Sequence, residues 1–298
     1  MLRKIFCTAL LFTFNHTLAA TDVIVLGTGT PTPDAERAGA GIAVVVNGEA
    51  YLFDAGSGTH FRAIQAMEKY EMPALTPQEI NYIFVTHLHS DHIHDLDNFA
   101  MARWWGRPDT LNIYGPEGLA GYIDNISSMG EIEGRIRAAG TPPQLVTNRK
   151  GFRPQAYEIS AGLVFENADI RVEAFTVPHG DIKPAYGYKV ITADKTIVIS
   201  GDTTYSEEIA RQAADADLLF HEVISGDLLS SMSEFWQDYH GSSHTVTQDV
   251  AKVANAARPG TVVLYHILFI GQSAEGMVAE VTRDYNGKVV LANDLDRF

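Results

Sequence analysis

His87-Leu88-His89-Ser90-Asp91-His92 places three histidines and an aspartate within six residues, directly after the apolar run Tyr82-Ile83-Phe84-Val85. A strand sends alternate side chains to the same face, so positions 87 and 89 project together before the chain turns. Two imidazoles and a carboxylate then converge. Nitrogen and oxygen donors of this kind are what zinc accepts where no cysteine is offered. As core packing the four groups would lack partners, and as an exposed loop they would be chemically idle. A metal site uses them all.

The chain around this cluster alternates. Short apolar strands come first, at Val23–Leu26, Ile42–Val46 and Tyr51–Phe53, with the hairpin signal Asn47-Gly48 between the last two. A helical stretch follows at His60–Tyr70, then the strand before the histidines and a helical run from about Asp95 to Trp105. The second half alternates again, with strands at Arg171–Val177, Tyr186–Ile191, Thr196–Ile199, Leu218–Phe220 and Val262–Leu264. This is an α/β pattern of two sheet-plus-helix halves. Residues 115–156 are polar and punctuated by Gly and Pro, with one helix expected at Glu117–Ile126, and read as a lid or wall beside the site. No repeat or linker divides residues 21–298, so one domain is expected there.

The first 20 residues differ from the rest. Arg3 and Lys4 precede an apolar run, Ile5–Phe14, and small residues close it at Ala19-Ala20. That order predicts a signal peptide, cleavage near Ala19 or Ala20, and a periplasmic or secreted protein with no stable membrane insertion afterwards. Cys7, the single cysteine, lies in this segment, which leaves a mature chain with neither disulfides nor thiolate ligands. The formal charge is −15 from 22 Lys+Arg and 37 Asp+Glu, and a surface so acidic repels polyanions at long range. No nucleic acid partner is expected on that ground.

The H-x-H-x-D-H pattern after a strand resembles the metallo-β-lactamase superfamily, and the resemblance covers nearly all of the mature chain. It implies a four-layer αβ/βα sandwich and two divalent ions, most simply zinc, with manganese or iron as alternatives. By the family pattern His87 and His89 would join His179 at one ion, Asp91 and His92 would join His266 at the other, and Asp202 would bridge them. Val177-Pro178-His179-Gly180, Ile199-Ser200-Gly201-Asp202 and Leu264-Tyr265-His266 each end an apolar strand, where loop residues point at a site. Asp54, after Tyr51-Leu52-Phe53, resembles the family's first-motif aspartate and would orient a ligand from behind.

Other features resemble the tRNase Z branch. Gly27-Thr28-Gly29-Thr30-Pro31-Thr32-Pro33 lacks the third glycine of a dinucleotide fingerprint and instead resembles that branch's opening strand and turn. Ile113–Gly118, His221-Glu222 and the run His244–Ala251 point the same way. In that branch an acidic residue and a histidine assist proton transfer, roles that would fall here to Glu222 and His244, with Asp91 also at the reacting centre. His60, His94 and His240 have no motif support. Lys183, Arg103, Arg107, Trp104 and Trp105 read as packing or solvated groups.

Two departures shift the expected substrate. Between His179 and Asp202 there is room only for a hairpin, not a tRNA-gripping arm, and Ser57 stands where tRNase Z carries an acidic residue. What remains resembles exported, arm-less relatives, including arylsulfatase-like and cyclic-nucleotide-phosphodiesterase-like groups. The expectation is therefore a small phosphodiester or sulfate ester, hydrolysed by a hydroxide shared between ions about 3.5–4 Å apart. A lactone or β-lactam hydrolase is the alternative, with tRNA 3′-processing or a non-catalytic metal-binding protein behind it. Relatives also make a homodimer an expectation.

Overall fold

The computed structural model describes residues 20–298 apart from Gly106, Pro108 and 141–149. Residues 1–19, and with them nearly all of the expected signal segment, lie outside the described residues. Among the described residues no helix is long and apolar enough to cross a membrane.

The first half opens with β1 (Asp22–Gly27), β2 (Gly41–Val46) and β3 (Glu49–Phe53), then α1 (Thr59–Tyr70), β4 (Tyr82–Phe84), α2 (Ser90–Ile93), α3 (Leu96–Trp104), β5 (Asn112–Gly115), α4 (Leu119–Gly140) and β6 (Gln155–Glu158). These strands form one sheet in the order β1-β2-β3-β4-β5-β6, antiparallel through β3 and parallel beyond it. Asn47, at φ 51°, and Gly48, at φ 82°, close the β2–β3 hairpin with the left-handed pair that such a two-residue turn requires.

The second half runs β7 (Gly162–Glu166), β8 (Arg171–His179), β9 (Ile182–Ile191), β10 (Thr196–Ile199), α5 (Glu207–Gln212), β11 (Leu218–Ile224), α6 (Gly226–Leu229), α7 (Glu234–Gly241), α8 (Thr247–Ala257), β12 (Thr261–Leu268), α9 (Ala274–Thr282) and β13 (Val289–Leu291). Its sheet has the order β13-β12-β11-β10-β9-β8-β7, parallel from β10 to β13. Between His179 and Asp202 the chain makes only β9, β10 and their turns.

The central strands are apolar on both faces because both faces are covered, whereas the edge strands β6 and β7 are largely exposed. Val23, Val25, Tyr51, Phe53 and Phe84 of the first sheet meet Val172, Tyr188 and Ile199 of the second in the central layer. Phe53 and Phe84 stack at 5.1 Å, and Tyr188 meets both edge-on. Behind the first sheet, Ile24, Leu52 and Ile83 pack on Ala63 of α1 and on Leu96 and Phe99 of α3. Behind the second, Val198 and Leu219 pack on Ile209 of α5 and Val253 of α8. The expected four layers, helix–sheet–sheet–helix, are what the chain forms.

The region 115–156 departs from expectation. Instead of a short helix beside the site, α4 runs 22 residues and lies against α3 and β6. Its glycines suggested a loop, but they admit a ring: a Cβ at Gly134 would stand 2.5 Å from Phe152, and Phe152 in turn meets Trp104 of α3 edge-on at 5.5 Å. Residues 141–149 of that region lie outside the described residues.

Candidate metal centre

The expected metal ligands lie at or just beyond the ends of strands β4, β8, β10 and β12. His87 and His89 follow β4, and Ser90 starts the short helix α2, which turns Asp91 and His92 back towards the same point. His179 closes β8, Asp202 follows β10, and His266 lies near the end of β12. Gly201, at φ 61°, makes the Asp202 turn: a Cβ there would stand 2.5 Å from the Tyr186 carbonyl oxygen. Gly56 does similar work for Asp91, whose carbonyl oxygen would lie 2.0 Å from a Cβ at that position.

Two clusters result. In the first, Nδ1 of His89 lies 3.0 Å from Nε2 of His87 and 3.2 Å from Nε2 of His179. Asp202 Oδ2 is 3.9 Å from both of those Nε2 atoms. In the second, Asp91 Oδ2 lies 3.0 Å from Nε2 of His266 and 3.6 Å from Nε2 of His92. Asp202 Oδ1 is 3.4 Å from that His92 nitrogen, so its two oxygens face the two clusters.

Hydrogen bonds on the far side of the rings fix their tautomers. His179 Nδ1 donates to the Ser243 carbonyl at 2.8 Å, and His92 Nδ1 donates to Asp54 Oδ2 at 2.8 Å. Asp54 also receives the Thr86 N–H at 2.8 Å and its hydroxyl. That hydroxyl lies 3.0 Å from His87 Nδ1 and accepts from it. The Nε2 atoms of His87 and His179 are thus left as lone pairs aimed inward, and that of His92 becomes one when its ring gives up the second proton.

The centre fits divalent ions on its own chemistry. His92 Nε2, Asp91 Oδ1, Asp202 Oδ1 and His266 Nδ1 are buried without a hydrogen-bond partner, which is costly unless something binds them. Burial pushes His87 well below the usual imidazole range, with the neighbouring His92 adding to it, and burial likewise lowers His89 and His179. Neutral imidazole is the form that a metal accepts. His92 is the exception: burial opposes its charge, but the Asp202 and Asp54 carboxylates outweigh burial and hold it well above that range. Asp202 is held well below the carboxylate range, because His266 and His92 outweigh its burial.

Beside the clusters, the buried Glu222 and the partly buried His244 lie together, with Oε2 3.4 Å from Nδ1. The ladder between β11 and β12 slips at Glu222, a bulge that re-aims one side chain. Glu222 Oε1 accepts the Thr245 N–H at 2.7 Å and that of Thr203 at 3.3 Å. Burial lowers the His244 pKa, but the Glu222 carboxylate outweighs it and raises the imidazole above its usual range. Burial also raises Glu222 itself, against the pull of the neighbouring His244 charge. The His244 ring lies 5.5 Å from that of His179 and 6.0 Å from that of His266.

Of the remaining residues, His240, which has no motif support in sequence, lies between Trp236 and His244, at ring distances of 5.6 and 6.0 Å. The four-residue spacing of 236, 240 and 244 is the signal that points to this arrangement. His60 packs on Phe99, away from the clusters. Arg103 is buried and donates to the Gln78 carbonyl, Trp104 is buried, and Arg107 pairs with Glu79, so all three serve packing.

Fold and centre together define a metal-dependent hydrolase. The Beta-lactamase superfamily domain matches residues 49–267, and the chain belongs to that superfamily. Ribonuclease Z of Mycobacterium bovis is 28% identical over 291 residues, covering 93% of this chain and 97% of that one. Among solved structures, the metallo-β-lactamase fold protein YhfI of Bacillus subtilis aligns with a TM-score of 0.70 at 17% identity, over 94% of this chain and 100% of its own. Human tRNase Z, short form, aligns with a TM-score of 0.66 at 24% identity, over 93% and 98%. The family and the two clusters imply divalent metal ions. The expectation that nucleic acid has no part in this protein's chemistry is corrected by these relatives, which are named for ribonuclease and tRNase activity. Net charge describes the far field, whereas a polyanion is bound by local groups and metal ions at the site, so −15 overall does not exclude one.

Proposed function

We propose that this chain is a two-metal phosphodiesterase whose substrates include RNA phosphodiesters. His87, His89 and His179 would hold one ion and Asp91, His92 and His266 the other, with Asp202 offering an oxygen to each cluster. Zinc is the proposed metal, because five imidazoles and two carboxylates without a thiolate form a donor set suited to it. When bound, such ions activate water and neutralise charge developing on the ester.

The observation that carries the reading is the Glu222–His244 pair beside the clusters. Breaking a phosphodiester expels an alkoxide, a poor leaving group that needs a proton. His244 turns Nδ1 towards the Glu222 carboxylate, which favours the charged ring, and Nε2 would then serve the departing oxygen. Asp54 works through His92, fixing its ring by the Nδ1 hydrogen bond. The ribonuclease names of the relatives support RNA as one substrate. On the basic, apolar, small order of residues 1–20 we further propose that the protein acts in the periplasm or outside the cell; cell fractionation tests this, and a purely cytoplasmic signal would refute it.

The experiment is a substrate panel: an RNA oligonucleotide, an aryl phosphodiester, an aryl sulfate, a lactone and a cephalosporin. Wild type, Asp91→Ala and chelator-treated protein are compared on each. Preferred turnover of the phosphodiesters, lost in both controls, is the expected result. Preference for the sulfate, lactone or cephalosporin overturns the substrate class, and activity surviving both controls overturns the metal mechanism.

A further inference from the structure

Helix α7 is anomalous for a surface helix. None of its residues is buried, yet it displays Phe235, Trp236 and Tyr239, which are 67%, 45% and 57% exposed. Phe235 and Tyr239 stack on one another, and Trp236 meets both edge-on, so the rings form one aromatic platform. Large apolar groups clustered in water mark a surface that binds something.

The platform is rigidly tied to the metal centre. The Ser242 carbonyl just past α7 accepts the Gly180 N–H at 3.0 Å, and the next carbonyl, Ser243, accepts from His179 Nδ1 at 2.8 Å. Thr204 Oγ1 donates to the Gly241 carbonyl at 3.0 Å. From the surface inward, four rings follow one another. Trp236 and His240 stack at 5.6 Å, His240 and His244 lie 6.0 Å apart, and His244 and His266 stack at 6.0 Å.

Against the two outer rings of this row, Trp236 and His240, lies a cleft of about 470 Å³. Trp236 and His240, the loop carrying Asp34 and Arg37, and Phe269 all line it. The Arg37 guanidinium is fixed above Phe269, 5.0 Å from the ring centroid, by bonds to Thr28 Oγ1 at 2.6 Å and Asn293 Oδ1 at 3.1 Å. His240 Nδ1 is buried without a partner. A flat ring with a polar edge suits such a space, its face against Trp236 and its edge towards the polar groups.

We propose that this cleft is the subsite for an aromatic ring on the leaving group of the substrate, a nucleobase or an aryl group, with Trp236 as its stacking residue. The row passes through His244, the proton donor to the leaving oxygen, which assigns the ring to the leaving side of the ester. The proposal rests on the phosphodiesterase reading above and adds the part of the substrate that selects it.

The test compares three substrates of the metal-loaded enzyme: a dinucleoside monophosphate, the nucleoside phenyl phosphate and the nucleoside methyl phosphate. Trp236→Ala is expected to lower the preference in kcat/KM for the ring-bearing esters over the methyl ester about tenfold, the size of one lost stack. The loss appears in KM, and Trp236→Phe restores most of it. A change confined to the dinucleoside identifies a nucleobase, and one shared with the phenyl ester identifies any flat ring. An unchanged preference, or an equal fall on all three substrates, overturns the proposal. Should wild type cleave none of them, the phosphodiesterase reading fails by itself and the subsite is read by binding. Nucleoside monophosphate, but not ribose phosphate, then quenches wild-type tryptophan fluorescence saturably and fails to do so in Trp236→Ala; identical titrations of the two proteins overturn it.

Discussion

Asp54 Oδ2 receives the Nδ1 proton of His92 at 2.8 Å, from a backbone held at φ 60°, where a non-glycine residue is uncommon. His266, across the centre, is also held at positive φ, 43°. Strained backbone of this kind persists where the surrounding structure over-determines it, and here it flanks the metal-facing rings on both sides. The carboxylate behind His92 both fixes its tautomer and raises its basicity.

Asp54→Asn keeps the size but loses the charge. It is expected to weaken metal affinity by about 10–100-fold, mainly for one of two ions, because Asp54 meets His92 directly and His87 only through the Thr86 hydroxyl. Competition with a chromophoric chelator measures this. Equal affinities for variant and wild type would show that Asp54 only shapes the loop.

Metal uptake should release protons. His92 is held charged in the metal-free protein by Asp202 and Asp54, against the pull of burial, and must become neutral to bind. Calorimetric titration in two buffers of different ionisation enthalpy at pH 7 will therefore differ by at least the heat of about one proton per protein. At about a hundredfold excess over the dissociation constant, the metal adds about 2.7 kcal/mol of stability, which for a chain of this size raises Tm by about 5–10 °C. No buffer dependence would mean that His92 is neutral beforehand.

Proton donation sets the alkaline limb of the pH profile. His244, raised by Glu222 above the usual imidazole value, donates only while charged, so kcat/KM for an alkoxide ester falls as pH rises through that raised pKa. His244→Ala should lose about 10²–10⁴-fold on such esters and lose that limb. With a nitrophenolate leaving group, which needs no proton, the loss is much smaller. Equal losses on both substrates would refute general-acid action.

Glu280 predicts stability rather than rate. Its buried carboxylate accepts from Ser225 Oγ at 2.7 Å, Thr247 Oγ1 at 2.6 Å, Gln272 Nε2 at 2.7 Å and the N–H groups of Gly226 and Asp227, tying α9 to the segments that flank α7. Burial raises its pKa, but the hydrogen bonds from Thr247, Gln272 and Ser225 outweigh burial and lower it. The stabilisation is therefore complete above the unfolded value of about 4.3 and fades as pH falls through the lower folded value. Glu280→Gln is expected to cost about 1.5–3 kcal/mol at neutral pH, a gap that narrows in acid. Denaturant unfolding at pH 7 and in acid checks both.

The sequence by itself determined the strands around the site, the His87–His92 cluster and, through strand-ending motifs in order, its partners His179, Asp202 and His266. Those signals are local: apolar runs read as strands wherever they fall, and metal-facing residues sit at the strand ends by pattern. It also singled out Glu222 and His244, although only tertiary structure brings residues from β11 and the loop before α8 within 3.4 Å. Tertiary structure alone decided the length of α4, whose Gly130 and Gly134 read locally as breaks but make room for Phe152. It alone decided, too, that the exposed aromatic residues of α7 stand at the outer end of the row of rings that leads to His244 and His266. Those two outcomes depend on what packs against a residue from far along the chain, and a local pattern carries no record of that partner.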